Sequence, residues 1–218
     1  MSTYSLLMDP EKVLSYLQKI PFFTHLSHEQ LVKIASLLKY ESHESGTTVI
    51  EEGVMGDKAY ILIHGLVQIY KTDETGKEIT IAFRSDGDIL GEMALIDDKP
   101  RSASAKTMKP TEFLIIPKKI FLSLLHKDAT ISLEIIHTLV HRIRDNAQTI
   151  EISTKELLFR AYDTLVTLSQ HFPNHDVHIS QEELAHIVGA TRPRVTEVLS
   201  QLQTEKKIII SSRKIHVL

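Results

Sequence analysis

The chain of 218 residues contains no cysteine. Disulfide bonds, iron–sulfur clusters and thiolate-bound haem are therefore excluded, because each of them requires cysteine sulfur. Long apolar runs are also missing, since no stretch approaches the roughly 20 residues that span a bilayer. The first ten residues lack the basic start and apolar core of a secretory signal. We therefore expect a cytoplasmic protein.

The composition shows no strong excess of charge. Charged residues make up 24% of the chain and apolar residues 42%, with a net charge of −3, which is typical of a globular protein of one large or two modest domains. Catalytic signatures are absent, because no nucleophile elbow, metal-binding signature or Walker loop occurs. His137 and His141 lie four residues apart but have no third ligand nearby. We predict neither an enzyme nor a metal site.

Residues 91–103 are the most informative segment of the chain. Gly91 allows the backbone to approach a ligand closely, and the start of the short helix that follows offers free amide groups to an anion. Arg101 can bind a phosphate through two hydrogen bonds, whereas Glu92 requires a donor such as a sugar hydroxyl. The segment predicts a small-molecule ligand with both groups. The alternative is a glycine turn followed by a surface salt bridge between Glu92 and Arg101.

Short β-rich runs separated by glycines surround this segment. They follow two predicted helices at 13–20 and 27–38, the second with a capping box formed by Ser27 and Gln30. The runs are 48–50, 59–63, 66–70, 79–83 and 113–116. A hairpin turn is expected at 74–77. Short strands at this spacing predict a β-barrel or β-roll.

A long helix is predicted from Ala129 onwards. Apolar or small residues alternate at steps of four and three, at Ala129, Leu133, Ile136, Val140, Ile143, Ala147, Ile150, Thr154 and Leu157. Because a straight helix drifts away from a seven-residue repeat, a stripe of this length favours a parallel two-helix dimer. The expected interface residues are Leu133, Ile136, Val140, Ile143, Ala147 and Ile150. The alternative is one amphipathic helix lying on its own domain.

The C-terminal part has the pattern of a helix–turn–helix followed by a hairpin wing. Ser180 and Glu183 form a capping box, Gly189 permits a positive φ in the turn, and Thr191 caps the second helix. Pro193 is tolerated in the first turn of that helix. Residues 177–218 contain six Lys or Arg against four Glu, although the whole chain is acidic. A positive module of this kind is expected to meet the phosphates of DNA.

Both motifs resemble those of the cyclic-AMP receptor protein family in the Crp/Fnr superfamily. Segment 91–103 resembles the family's phosphate-binding cassette, and residues 179–217 resemble its winged helix–turn–helix, whose recognition helix begins with the same Thr/Ser-Arg pair. The resemblance implies an α+β fold: an N-terminal β-roll (a double-stranded β-helix of the cyclic-nucleotide-binding type), a long dimerisation helix and the winged module. It implies domains at 1–128, 129–156 and 157–218, with a hinge near 152–157.

The resemblance also implies a ligand site. Glu92 is expected on the ribose 2′-hydroxyl, and Arg101 with Ser102 on the cyclic phosphate. The base is expected to meet the long helix at Asn146 and Ala147. The alternative for Asn146 is a polar residue that flanks the apolar stripe of the dimer. The predicted ligand-binding residues are Gly91, Glu92, Met93, Arg101, Ser102, Ala103, Asn146 and Ala147. Cyclic AMP is the expected effector, with cyclic GMP or a cyclic dinucleotide as alternatives.

The predicted partners are double-stranded DNA and a second copy of the chain, with RNA polymerase as a further candidate. The expected DNA-binding residues are Ser180, Gln181, Thr191, Arg192, Arg194, Thr196, Glu197, Gln201, Arg213 and Lys214. Arg192 can reach a guanine, and Glu197 can accept from a cytosine amino group or is simply solvated. Pro193 and Glu197 replace the acidic residue and second arginine that are usual in the family, so the family's operator is not expected here.

Two other functions fit the same fold. The protein could respond to haem or another metabolite, or act without a ligand. It could also be a regulatory subunit whose C-terminal module binds protein. The predicted mechanism for the favoured regulator is a population shift in which the ligand moves the recognition helices to a spacing of roughly 34 Å, one turn of DNA.

Overall fold

The computed structural model describes residues 9–74, 76, 78–153, 157–211 and 214–218, without the side chains of Pro10 and of residues 145–153. The chain divides into two compact units. The first runs up to Ile69 and includes Ala82–Ile143, and the second includes Tyr70–Ile81 and Arg144–Leu218. Among the described residues, no helix combines the length and the apolar character needed to cross a membrane.

Two four-stranded sheets form the predicted β-roll, and the predicted α+β fold is confirmed. Their strand orders are β1-β8-β3-β6 and β2-β7-β4-β5. The strands are β1 (Lys39–His43), β2 (Thr48–Ile50), β3 (Lys58–His64), β4 (Leu66–Thr72), β5 (Glu78–Ser85), β6 (Ile89–Leu90), β7 (Ser104–Thr107) and β8 (Thr111–Pro117). Each of the five predicted runs lies in a strand, because apolar and β-branched residues fit a pleated, half-buried surface.

The core of the roll lies around the central pair of strands, β3 and β8. Ile61, Leu62 and Phe113 are fully buried. Two helices precede the strands, α1 (Pro10–Leu17) and α2 (His28–Ala35), and their core residues Leu17 and Leu31 pack into the same apolar cluster as Ile61. The predicted capping box is present, since the Ser27 hydroxyl accepts from the Gln30 amide and the Gln30 side chain accepts from the Ser27 amide. Both helices end three residues earlier than predicted.

A long helix follows the roll. After α3 (Met93–Ile96) and α4 (Lys118–Lys127), helix α5 spans Ala129–Ser153. One face of α5 is buried on the roll, with Ile131 and Ile135 only 2% and 3% exposed. Another face carries Leu133, Ile136 and Ile143, which are 52%, 51% and 68% exposed in the single chain. The helix therefore rests on its own unit and still presents an uncovered apolar stripe.

The C-terminal unit contains the predicted winged helix–turn–helix. Its elements are α6 (Leu157–Ser169), β9 (Asp176–Val177), α7 (Gln181–Ile187), α8 (Arg192–Thr204), β10 (Ile208–Ser211) and β11 (Lys214–Val217). Gly189 has the predicted positive φ, at +68°. Leu184, Val195 and Leu199 are fully buried between the helices. Leu157, which the sequence pattern assigned to the long helix, instead begins α6 and is buried there, because α6 turns its apolar face into this unit.

Candidate functional site

Residues 91–103 connect β6 to β7 and contain the four-residue helix α3. Glu92 is the residue before the helix, and Ala94 and Leu95 are the buried residues of the helix itself. Asp98 adopts a positive φ of 55° in the following turn, and its carboxylate pairs with Lys118 at the start of α4. The segment is thus a short helix and a tight turn, fixed at both ends by strands.

The Arg101 guanidinium lies inside this segment and is 8% exposed as a residue. It donates to the backbone carbonyl of Gly91 and, at 2.5 Å, to that of Lys58. A methyl group added at Gly56 would lie 2.6 Å from Arg101 Cζ, and one added at Gly91, where φ is +76°, would overlap the guanidinium. Two glycines therefore make room for one arginine side chain. The close approach of Gly91 to a ligand stays a prediction, and the structure shows that Gly91 also lies against the Arg101 guanidinium.

Glu92 is the most deeply buried charged group of the segment, with 1% exposure. Its Oε1 pairs with Nη1 of Arg142 at 2.5 Å, and Nη2 of Arg142 donates to the Ile89 carbonyl. Burial raises the pKa of the Glu92 carboxyl, while Arg142 and, more weakly, Arg84 and Arg101 lower it. The alternative to a ligand site was a surface salt bridge between Glu92 and Arg101. That alternative is wrong, because both groups are buried and Glu92 pairs with Arg142.

Arg142 and Arg84 are two residues of this site that the sequence analysis missed. Arg142 is a charged residue outside the apolar stripe of the long helix, and it connects α5 to the segment. Arg84 lies at the end of β5, close enough to Glu92 to lower its pKa. A signal for Arg142 was present, since it lies one helical turn before Asn146 and residues four apart share a helix face.

The remaining predicted ligand residues lie at the rim of the site or outside the described side chains. Met93 and Ser102 are exposed, and Ala103 is half-buried. The side chains of Asn146, Ala147 and Ile150 lie outside the described part of the chain. The structure therefore brings together Gly91, Glu92 and Arg101 and adds Arg142.

A second surface is formed by α7, α8 and the wing. The Ser180–Glu183 capping box is present, and the Thr196 hydroxyl donates to Oε1 of Gln181 at 2.7 Å, which joins the two helices. Arg192, Arg194, Glu197 and Gln201 are exposed. Thr191 occupies the capping position of α8, but its side chain makes no capping hydrogen bond.

Four of the predicted DNA-binding residues share one cleft of about 940 Å³, namely Ser180, Gln181, Arg192 and Lys214. Ser211 of β10 and Ile215 of β11 complete the wing side of this cleft. Arg213 lies outside the described residues. In the described part of the chain, no three His, Asp or Glu side chains are grouped as a metal would require.

Comparison with known families shows a cyclic-nucleotide-binding transcription regulator. A cyclic nucleotide-binding domain model matches residues 40–128, and a Crp-like helix-turn-helix domain model matches residues 159–218. The chain belongs to the Crp/Fnr superfamily of transcription regulators, a family of DNA-binding proteins and not of enzymes.

Three similar proteins illustrate the range of the family. The cyclic AMP receptor protein of Thermus thermophilus is 27% identical over 186 residues, covering 85% of this chain and 86% of the relative. The structure of a CRP/FNR family transcriptional regulator from the same organism has a TM-score of 0.68 at 27% identity and covers 82% of this chain and 93% of that one. The c-di-GMP responsive regulator CLP of Xanthomonas campestris shares the fold, with a TM-score of 0.70 at 21% identity over 84% of this chain and 94% of that one.

Proposed function

We propose that the protein is a homodimer whose binding to DNA is controlled by cyclic AMP. In this proposal residues 1–128 bind the nucleotide, residues 129–156 form the dimer helix and hinge, and residues 157–218 bind DNA. The observation that carries the proposal is the burial of a guanidinium and a carboxylate, Arg101 and Glu92, in one segment between two strands.

The phosphate half of the ligand is assigned to Arg101. A guanidinium has five N–H donors, and the described contacts of Arg101 engage two backbone carbonyls. Those carbonyls fix the plane of the guanidinium and leave donors for a phosphate. Ser102, the next residue, is exposed and has a hydroxyl that can donate to the same phosphate.

The ribose half is assigned to Glu92. One of its oxygens, Oε1, pairs with Arg142, and a carboxylate accepts several hydrogen bonds, so the ribose 2′-hydroxyl can be added as a further donor. Because Arg142 belongs to α5, a ligand on Glu92 also acts on the long helix. This contact is the proposed start of the signal.

The choice of cyclic AMP rests on the family resemblance of the segment and on relatives named for that ligand. Asn146 and Ala147 are the proposed contacts with the base. A structural neighbour is described as c-di-GMP responsive. A titration must therefore determine which base the ligand carries and how many phosphates it has.

The proposed dimer forms along the apolar stripe of α5. Leu133, Ile136 and Ile143 are each more than half exposed in the single chain, and single-chain exposure of three such residues on one helix face is costly in water. A second copy of the same helix would cover them in the heptad arrangement that the sequence predicts.

The proposed DNA surface consists of α8, the start of α7 and the wing. Exposed Arg192 and Arg194 can reach base edges or phosphates, and Ser180 and Gln181 are placed for the backbone, which fixes register without reading sequence. In the proposed dimer, ligand binding shifts the population towards the state in which both α8 helices fit successive turns of DNA.

Calorimetric titration of the full chain tests the effector. We expect one cyclic AMP per chain and a dissociation constant at least about tenfold lower than that of cyclic GMP, because a mismatched base leaves a buried polar group unpaired. Tighter binding of cyclic GMP or c-di-GMP would identify that nucleotide as the effector in place of cyclic AMP. Absence of nucleotide binding together with an absorbing cofactor would favour the alternative of a haem-responsive regulator.

Arg142→Ala tests the connection between the segment and α5. Removing Arg142 leaves the buried Glu92 carboxylate without its nearest cationic partner, so the free energy of unfolding should fall by about 2–5 kcal/mol. Denaturation followed by circular dichroism measures this change.

The double variant Arg142→Ala with Glu92→Gln is the control for that experiment. Because it removes the buried charge as well as its partner, it should recover most of the lost stability. An Arg142→Ala protein as stable as the wild type would show that the ion pair is absent in solution.

A further inference from the structure

One carboxylate in the C-terminal unit holds two basic side chains of the wing. Asp176 of β9 lies directly opposite His216 of β11, and Lys214 is two residues from His216 on the same face. Asp176 Oδ2 is 2.6 Å from Lys214 Nζ, and Oδ1 is 3.0 Å from His216 Nδ1. Both carboxylate oxygens are therefore engaged by the strand that leads out of the wing.

The surroundings of Asp176 hold its carboxylate in place and favour its ionised form. The turn at Pro173–His175, where Asn174 and His175 have positive φ, delivers Asp176 to the edge of β11. The side chain of Asp176 is 17% exposed, against 44% for Lys214. The hydrogen bond from Lys214, and then that from His216, hold the pKa of Asp176 below its usual value.

Lys214 belongs at the same time to the cleft that contains Arg192 and Ser180. The Asp176 carboxylate is the anionic group that the ammonium contacts, and Glu182 and Glu183 line the same cleft. A DNA phosphate that enters the cleft would compete with Asp176 for this ammonium. A lysine ammonium is a point charge on a flexible stem and can exchange one partner for another.

We propose that Asp176 sets the affinity of the wing for DNA by holding Lys214 in the DNA-free protein. A phosphate must then displace the carboxylate or share the ammonium with it, which weakens the contribution of the wing to sequence-independent binding. The inference rests on the proposed function, because it takes Lys214 to be a phosphate contact.

Asp176→Asn in the full chain provides the test, with a fluorescein-labelled DNA duplex of random sequence as the probe and fluorescence anisotropy at several salt concentrations as the measurement. Freed Lys214 should tighten binding roughly two- to fivefold per subunit, the range of an exposed ion pair. The slope of log affinity against log salt should become steeper by about one per subunit, since one more phosphate is neutralised.

Two variants separate this effect from the loss of a negative charge. Asp163→Asn makes the same change of charge in the same unit, at an exposed position of α6 that is not a predicted DNA contact, and should leave the affinity near the wild-type value. In a Lys214→Ala background, Asp176→Asn should have no effect. Asp176→Ser is a second way of removing the Asp176 carboxylate and should act like Asp176→Asn. Thermal unfolding checks that each protein is folded.

The outcomes distinguish the inference from the function on which it rests. If Lys214→Ala weakens binding but Asp176→Asn does not strengthen it, or strengthens it equally without Lys214, Asp176 does not hold Lys214 back and the inference is overturned. The same conclusion follows if Asp163→Asn acts as strongly. If Lys214→Ala leaves binding unchanged, the proposed phosphate contact fails, and the inference fails with it.

Discussion

Arg101→Ala should weaken cyclic AMP binding at least about 100-fold and abolish the effect of the nucleotide on DNA binding. The reason is that the Arg101 guanidinium is buried in the segment. Without it, the negative charge of the nucleotide phosphate would lose the positive group assigned to it. Truncating one partner of a buried charged pair costs about 2–5 kcal/mol. Calorimetry with cyclic AMP measures the change.

Lys99→Ala is the matched control for Arg101→Ala. It removes one positive charge from the same segment, two residues away, at an exposed position. Its affinity for the nucleotide should remain close to that of the wild type, and both variants should remain dimers because the apolar stripe of α5 is unchanged. Equal affinity for cyclic AMP in Arg101→Ala and the wild type would refute the assignment of the phosphate site.

Ile136→Asp should convert the protein into a monomer. In the proposed dimer the new carboxylate would be buried at the helix seam, and burying an unpaired charge costs several kcal/mol per ion. The dissociation constant of the dimer should rise by at least about 1000-fold, as measured by sedimentation equilibrium. DNA affinity should fall by about 100-fold or more, because two linked binding modules become two separate ones.

His141→Asp provides the comparison. It introduces the same side chain into the same helix at an exposed position that lies outside the apolar stripe. The dimer should persist in this variant. A dimer that survives Ile136→Asp equally well would show that the copies do not meet along this face of α5.

The sequence predicted those elements whose residue pattern follows directly from burial or from contacts between neighbouring residues. Strand β3 is apolar from Ala59 to Ile63 because these residues are buried in the sheet. The helix starts at Ser27 and Ser180 carry capping boxes that are local in sequence. These features depend on a few neighbouring residues and can be recognised without the tertiary structure.

Strands β1 and β7 were missed because their side chains are mostly polar. In β7 the buried residues Ser104 and Thr107 are satisfied by tertiary contacts: Ser104 accepts from the Glu52 amide, and Thr107 donates to the Glu44 carbonyl at 2.6 Å. Hydrogen bonds between residues about 50 to 60 positions apart leave no periodic trace in the sequence.

The residues of the candidate site that lie close together in sequence were predicted, and the residue that comes from a distant element was missed. Gly91, Glu92 and Arg101 lie in one segment and were found together. Arg142 lies on another element, and its reach to Glu92 depends on how α5 packs on the roll, which a helical pattern does not encode. A buried carboxylate needs a cationic partner, and that requirement is the physical argument that points to Arg142.

Binding of the full chain to genomic DNA fragments, measured by gel shift with and without cyclic AMP over a range of salt, tests the central claim most directly. We predict that DNA is retarded in a salt-sensitive manner, that cyclic AMP strengthens the retardation, and that Arg101→Ala binds DNA without responding to the nucleotide. Retardation of equal strength with and without cyclic AMP in the wild type would contradict control by this ligand. Absence of any retardation would contradict the DNA-binding role of α8 and the wing.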